Sequence, residues 1–437
     1  MIPTSSATVQ HVTSNLTIYA RPMFARKAIE RVLGKGVLTA EGERHKRQRK
    51  ILNPAFSTDY IRKIVPIFSA KASELVTVLL DYVKSQLAQE IDVFPLLTRV
   101  TLDIISSSGS SVLLMISDVG FGYDFNTLHN PGDPFAIAYA KISRMTPGIR
   151  AFDIAAAYIP FLRNLPFPRV MEIAEARKSI SIRASKLVQE KQRQTIAGKD
   201  ILSVMIDENR KSQGGLSETE IVDQIMTFLF AGHETTSTAV DPSHHFINIC
   251  SWHGVYIFLH SILKSKIACE QKWNIWMFRR LNRLNRVAIC ITFAERFYDT
   301  YPQVNTTHSV KLMLVSAVRR EASVTDYVNG VIIPKGTIVV IPILATNFDE
   351  TIWGPDVDVF NPDRWMENTS KFSYLTFLQG PRSCIGRSFA ETEMKVLLVA
   401  LIQRLRFEEV VKGKHIERHT VITTRPKHGM VLKISAI

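Results

Sequence analysis

The chain has 437 residues, a net charge of +14, 46% hydrophobic and 22% charged residues. That length accommodates a large core and two or three domains, and the composition excludes a disordered, collagenous or fibrous protein. Four cysteines exclude a disulfide scaffold and fit a reducing compartment, where a lone cysteine is a small buried hydrophobe, a catalytic group or a metal ligand. The sequence shows no signal peptide, and no apolar run of the roughly 18 residues that a membrane span needs. Positive charge invites nucleic acid or acidic partners. The densest basic cluster, Glu43–Lys50, nevertheless lies within a helical pattern and lacks the interleaved aromatics of a nucleic-acid surface.

In chain order, residues 25–50 and 54–90 have the periodicity of amphipathic helices, joined where Pro54 breaks the pattern. Residues 94–105 form another helix, followed by a Ser/Gly-rich interruption over 106–122 and a Pro-punctuated connection. A long charged helix covers 170–195. Ser217 and Glu220 form a capping box before an apolar stripe through Ile221, Ile225, Phe228 and Leu229, and Pro242 limits that helix. After Asp326 the texture becomes β-branched around Pro334-Lys335-Gly336, which predicts a hairpin. A helix of about 20 residues follows Cys384 with Met394, Leu397, Leu398, Leu401 and Leu405 as its stripe. Short strands close the chain. The fold class is mainly α with a small β part, in a single domain over 1–437.

Cys384 lies between Gly380 and Gly386, where the chain turns into a helix. The glycines permit close approach of backbone to a flat ligand. Helix-start N–H groups and the positive dipole end favour a thiolate there, and Arg382 can neutralise an anionic group. No other Cys or His stands nearby, so one axial position of a haem iron suits this cysteine better than zinc, which takes three or four protein ligands. A zinc site from Cys250, His253, Cys269 and Cys290 has no finger-like spacing.

Phe377-x-x-Gly380-x-Arg382-x-Cys384-x-Gly386 resembles the haem-binding signature of the cytochrome P-450 superfamily of haem-thiolate monooxygenases. The resemblance implies Cys384 as proximal iron ligand, Phe377 packed beside it and Arg382 on a haem propionate. Ala231-Gly232-His233-Glu234-Thr235-Thr236 is similar to the family's oxygen-activation motif. There the resemblance gives Gly232 the close approach, Thr235 the hydroxyl beside the oxygen being activated and Glu234 the proton relay. His45 and Arg49 share a helical face at i, i+4 and match residues that the family turns toward the propionates, as does Arg320. Phe360–Trp365 resembles the meander, with Arg364 as its arginine. The texture is similar to that of fungal microsomal members. It implies haem b, an NADPH-dependent reductase meeting a basic face near Arg382 and Arg387, an apolar small-molecule substrate, a monomer and an endoplasmic reticulum membrane location.

The resemblance covers 10–105, 119–240 and 318–437, and departs in three places. The family's membrane anchor and first strands are absent from the start, so the small sheet is expected to lose edge partners. Residues 106–118 look like a short insertion. Between 241 and 317 the likeness stops where the family has a Glu-x-x-Arg motif; the matches in this chain, Glu41/Arg44 and Glu190/Arg193, lie far upstream. Residues 241–320 hold eleven Lys or Arg, four Asp or Glu, and three of the four cysteines. A second reading follows, a truncated or mis-spliced chain in which Arg364 lacks its ion partners and haem binds poorly. Losing one partner of a buried pair costs about 3–5 kcal/mol.

Overall fold

The computed structural model describes residues 1–3, 5–85, 90–106, 125–143, 152, 155–156, 159, 161–162, 167–193, 200–239, 315–357, 370–411, 417–420 and 423–437. Helices carry most of these residues, as the apolar periodicity predicts. The longer ones are α1 (Ser6–Ser14), α2 (Met23–Leu33), α3 (Gly42–Leu52), α4 (Thr58–Lys84), α5 (Phe94–Ser106), α6 (Pro134–Ser143), α7 (Pro168–Arg193), α8 (Ile201–Lys211), α9 (Glu218–Ala239) and α10 (Arg387–Ile402). None is long and apolar enough to cross a membrane.

The expected helix over 25–50 is two helices. Gly34 ends α2 with φ of +78°, a left-handed conformation that suits glycine. A Cβ at that position would overlap the Asp223 carboxylate of α9, which accepts the Lys35 N–H at 2.7 Å. The next helix also stops earlier than its pattern suggests. Glu90–Asp92 is a strand, β2, rather than the end of α4. Ser57 caps α4 by accepting the Tyr60 N–H at 3.3 Å. The capping box at α9 forms in both directions, Glu220 N–H to Ser217 Oγ and Ser217 N–H to Glu220 Oε2, each at 3.2 Å.

Among the described residues the β part is four small sheets built from β1 (Tyr19–Ala20), β2, β3 (Val318–Ala322), β4 (Asp326–Val328), β5 (Val331–Ile333), β6 (Ile338–Ile341), β7 (Leu405–Glu409), β8 (Arg418–Thr420), β9 (Thr424–Pro426) and β10 (Val431–Ala436). Their orders are β1-β3-β6, β2-β10-β7, β4-β5 and β8-β9, all antiparallel. The hairpin turns at Asn329-Gly330, both with positive φ, and not at Pro334-Lys335-Gly336. β6 instead pairs with β3, Val318 opposite Ile341. Along β6 the Met1 carbonyl accepts the Val340 N–H at 2.8 Å and the Met1 amine donates to the Ile338 carbonyl at 2.9 Å, so this edge is paired.

The main core joins α4, α5, α9, α10, β7 and β10. α10 lies along α4, where Phe389 meets Phe68 edge-on with ring centroids 4.9 Å apart. A second core holds α1 against β1, β3 and β6 and includes Leu375. The loop between these two cores carries Cys384.

Candidate active site

The cysteine loop is fixed by its own backbone. The Cys384 N–H donates to the Phe377 carbonyl at 2.8 Å and the Ser383 N–H to the Gly380 carbonyl at 3.0 Å. Leu378 and Gly380 have φ of +54° and +82°. A Cβ on Gly380 would stand 2.9 Å from the Thr13 carbonyl oxygen, so only glycine lets the loop lie against α1. Phe377 is buried beneath the loop with the Arg387 guanidinium 5.5 Å from its ring centroid. Gly386 begins α10 in open space, its would-be Cβ 4.0 Å from Phe56.

Cys384 is exposed, yet desolvation by surrounding protein raises its thiol above the ordinary value. The Gly386 N–H and the charges of Arg49 and Arg387 act in the opposite direction and favour the thiolate. Arg49 also donates to the Ser383 carbonyl at 2.7 Å, tying α3 to the loop.

Beside the loop, Arg21, His45, Arg49, Arg320 and Arg382 converge. Burial, then the charges of Arg382, Arg49, Arg21 and Arg320, push His45 down to about 4, so it is neutral at pH 7. Burial and the neighbouring Arg382 push Arg320 down to about 10. Arg21 falls to about 10 for the same reasons, with Arg320 and Arg382 as its neighbours. Among the described residues the carboxylate facing this group is Glu41, which is ion-paired with Arg382. Arg21 donates to the Leu38 carbonyl at 2.6 Å. Arg320 is 3% exposed, and its Nε has no hydrogen-bond partner among the described residues. A buried cation left with an unsatisfied donor is costly unless an anion meets it. The surplus of buried positive charge beside the loop of an exposed cysteine fits a haem, which brings two carboxylates and an iron that accepts thiolate.

The oxygen-activation stretch lies on α9, with His233, Glu234 and Thr236 buried. Ala231 and Gly232 are half-buried, and a Cβ on Gly232 would stand 3.1 Å from Ile105 of α5. Its missing side chain therefore also serves helix packing. Thr235 donates to the Ala231 carbonyl at 2.6 Å, one turn back in its own helix. Glu234 accepts from Thr423 at 2.5 Å and from Arg425 Nε at 2.6 Å.

Residues 2–242 and 311–432 match the cytochrome P450 family. The chain belongs to the cytochrome P450 family. It is 29% identical to Cytochrome P450 monooxygenase 205 of Postia placenta, over 96% of this chain and 79% of the relative. It is also 29% identical to Cytochrome P450 monooxygenase sphH of Aspergillus fumigatus, over 99% and 78%, and 28% identical to Cytochrome P450 monooxygenase buaD of Petromyces alliaceus, over 92% and 73%. Fungal members are prominent among its relatives.

Within this P450 the sequence-predicted residues fall into two groups. Cys384, Phe377, Arg382, Gly386, Arg49, His45 and Arg320 belong to the cysteine loop and its cationic cluster. Thr235, Glu234, Ala231 and Gly232 line up on α9. Arg364, the Glu-x-x-Arg region and Cys250, His253, Cys269 and Cys290 lie outside the described residues. Among the described residues no cluster could hold a metal through three or more His, Cys, Asp or Glu side chains. The Arg382 side chain is 7% exposed and ion-paired with Glu41. Sequence reasoning missed Arg21, Glu41, Thr423 and Arg425. Their partners lie up to 341 residues away, and no local pattern signals them.

Proposed function

We propose that this chain is a haem-thiolate monooxygenase that inserts one oxygen atom of O2 into an apolar organic substrate, with electrons from an NADPH-dependent reductase. The accessible Cys384 thiol, with a cationic cluster against its loop in which the Arg320 Nε has no hydrogen-bond partner among the described residues, supports this reading. Haem, when bound, supplies the electron-transfer and O2 chemistry. The residues that would hold it are Cys384, whose thiolate the Gly386 N–H favours, and Arg320, Arg21, Arg49 and Arg382, whose charges would meet the haem carboxylates. Neutral His45 can donate or accept one hydrogen bond among them. Thr235 offers a hydroxyl from the half-buried stretch of α9, and Glu234 moves the proton that the chemistry consumes. The reductase meets exposed lysines of α3, Lys46 and Lys50, which share the Arg49 end of that helix. By kinship with fungal members, the working site is the endoplasmic reticulum membrane and the working unit a monomer.

The test is turnover of an apolar substrate panel under isotopically heavy dioxygen with NADPH and a fungal reductase. One labelled oxygen per product supports the reading; label from water, or turnover independent of NADPH, refutes it. One observation favours the second reading, a chain impaired in haem binding. The family match stops at 242 and resumes only at 311. A chain that folds but takes up no haem would establish it.

A further inference from the structure

Glu41 holds the N-cap position of α3, yet its side chain makes no capping hydrogen bond. Ser, Thr, Asp and Asn are the residues preferred there, because their short side chains reach back to the first turn. The Glu41 Oε2 instead accepts from Nη2 of Arg382, a residue of the cysteine loop 341 positions away. The segment before Glu41 is clamped. The Val37 N–H donates to Gln224 Oε1 of α9 at 2.8 Å, and Thr39 Oγ1 to the Gly34 carbonyl at 2.9 Å. The junction after it is open. Gly42 has φ of +56°, and a Cβ there would meet nothing within 4 Å. Glu41 therefore sits at the open end of a fixed segment, with its carboxylate turned away from its own helix.

That carboxylate serves several cations at once. Burial lowers Arg21, Arg320 and Arg382, and the charge of Glu41 acts against burial in each. Arg49 adds a fourth positive charge close enough to act on Arg382. Within the ion pair Glu41 is the outer member, its side chain 20% exposed against 7% for Arg382. A second carboxylate brought to Arg382 would stand beside Glu41, and two like charges that close repel in a site with little water. We propose that Glu41 is a placeholder, which holds Arg382 and balances the cationic cluster until a haem carboxylate takes its place. The displaced side chain has somewhere to go. The first N–H groups of α3 lie unpaired at the same junction, and the positive end of a helix favours a carboxylate. Glu41 thus stabilises the chain before haem enters and lowers its affinity for haem. The inference rests on the proposed haem site.

The test titrates the full chain, prepared without haem, with haem and with haem dimethyl ester, in which both carboxylates are masked. Binding is followed in the visible spectrum for wild type, Glu41→Gln and Glu41→Asp. Without haem, E41Q is expected to unfold at lower urea than wild type. It is expected to bind haem about 10-fold more tightly, the scale of one hydrogen bond to a charged group, and to bind the ester no better than wild type does. Haem binding by E41Q equal to or weaker than wild type overturns the proposal, because Glu41 is then a brace or an anion that stays in place. A gain of the same size with the ester also overturns it, because no carboxylate has then replaced Glu41. Should E41Q fail to accumulate, E41D decides, since its shorter side chain keeps the charge and suits the cap of α3 better than Arg382. A gain for haem and none for the ester upholds the proposal, and any other pattern overturns it. A chain that takes up neither haem nor ester in any form overturns the haem reading and this inference together; equal uptake of haem by wild type and both variants overturns this inference alone.

Discussion

Replacing Arg320 with Met has opposite effects on the haem-free and haem-loaded protein. Arg320 is 3% exposed, its Nε is without a partner among the described residues, and burial beside Arg382 lowers it from 12.5 to about 10. A depression of that size corresponds to about 3 kcal/mol of unfavourable environment for the charged form. The sign is that of a base lowered on folding, so the whole penalty is present at pH 7, well below the folded value. Met keeps most of the side-chain volume and removes the charge, so the haem-free chain gains about 1–3 kcal/mol in urea denaturation. In the loaded protein the same change removes a partner from a buried carboxylate, at a cost of about 3–5 kcal/mol. Haem affinity then falls by at least about 10²-fold. The assay pairs urea melts of the haem-free chain with haem titration monitored in the visible spectrum. A variant that destabilises the haem-free chain and leaves haem affinity unchanged refutes the idea that these cations await an anion.

Gly380→Ala places a Cβ 2.9 Å from the Thr13 carbonyl at φ of +82°; expected are a lower melting temperature and reduced haem content in the purified protein, measured together. Stability falls as pH drops from 6.5 toward 4, because His45 and His233 are neutral in the fold and protonate on unfolding; denaturation of H45Q across that range shows a shallower slope. Glu393 is fully buried and its carboxyl is pushed well above 4.5 by desolvation, so wild-type stability declines as pH rises above 4.5, and Glu393→Gln melts higher than wild type at pH 8. Ser217→Ala removes the cap of α9 and costs about 1 kcal/mol in chemical denaturation.

Local signals proved legible where the physics is local. The capping box of Ser217 and Glu220 forms as the sequence predicts, and the stripe Met394, Leu397, Leu398, Leu401 packs into the main core. The cysteine loop was readable because Gly380 must adopt positive φ beside Thr13. Legibility failed where two signals compete. Asn329-Gly330 and Pro334-Lys335-Gly336 both read as turns, and the strand pairing of β6 with β3 decides between them. The break between α2 and α3 shows only as glycines in the sequence; its cause is Asp223, far along the chain on α9. The ion pair of Arg425 with Glu234 and the place of Arg21 and Glu41 in the cationic cluster are long-range events. A charge acquires its meaning there from burial, and spacing carries no trace of it.

The central claim is that Cys384 presents a thiolate to a haem. The direct measurement is the carbon-monoxide difference spectrum of the reduced, purified chain beside its Cys384→Ala variant. The account predicts the strongly red-shifted Soret band of thiolate ligation in wild type and its loss in C384A. A wild-type chain that is folded by circular dichroism but shows no such band, or a band that persists in C384A, contradicts it.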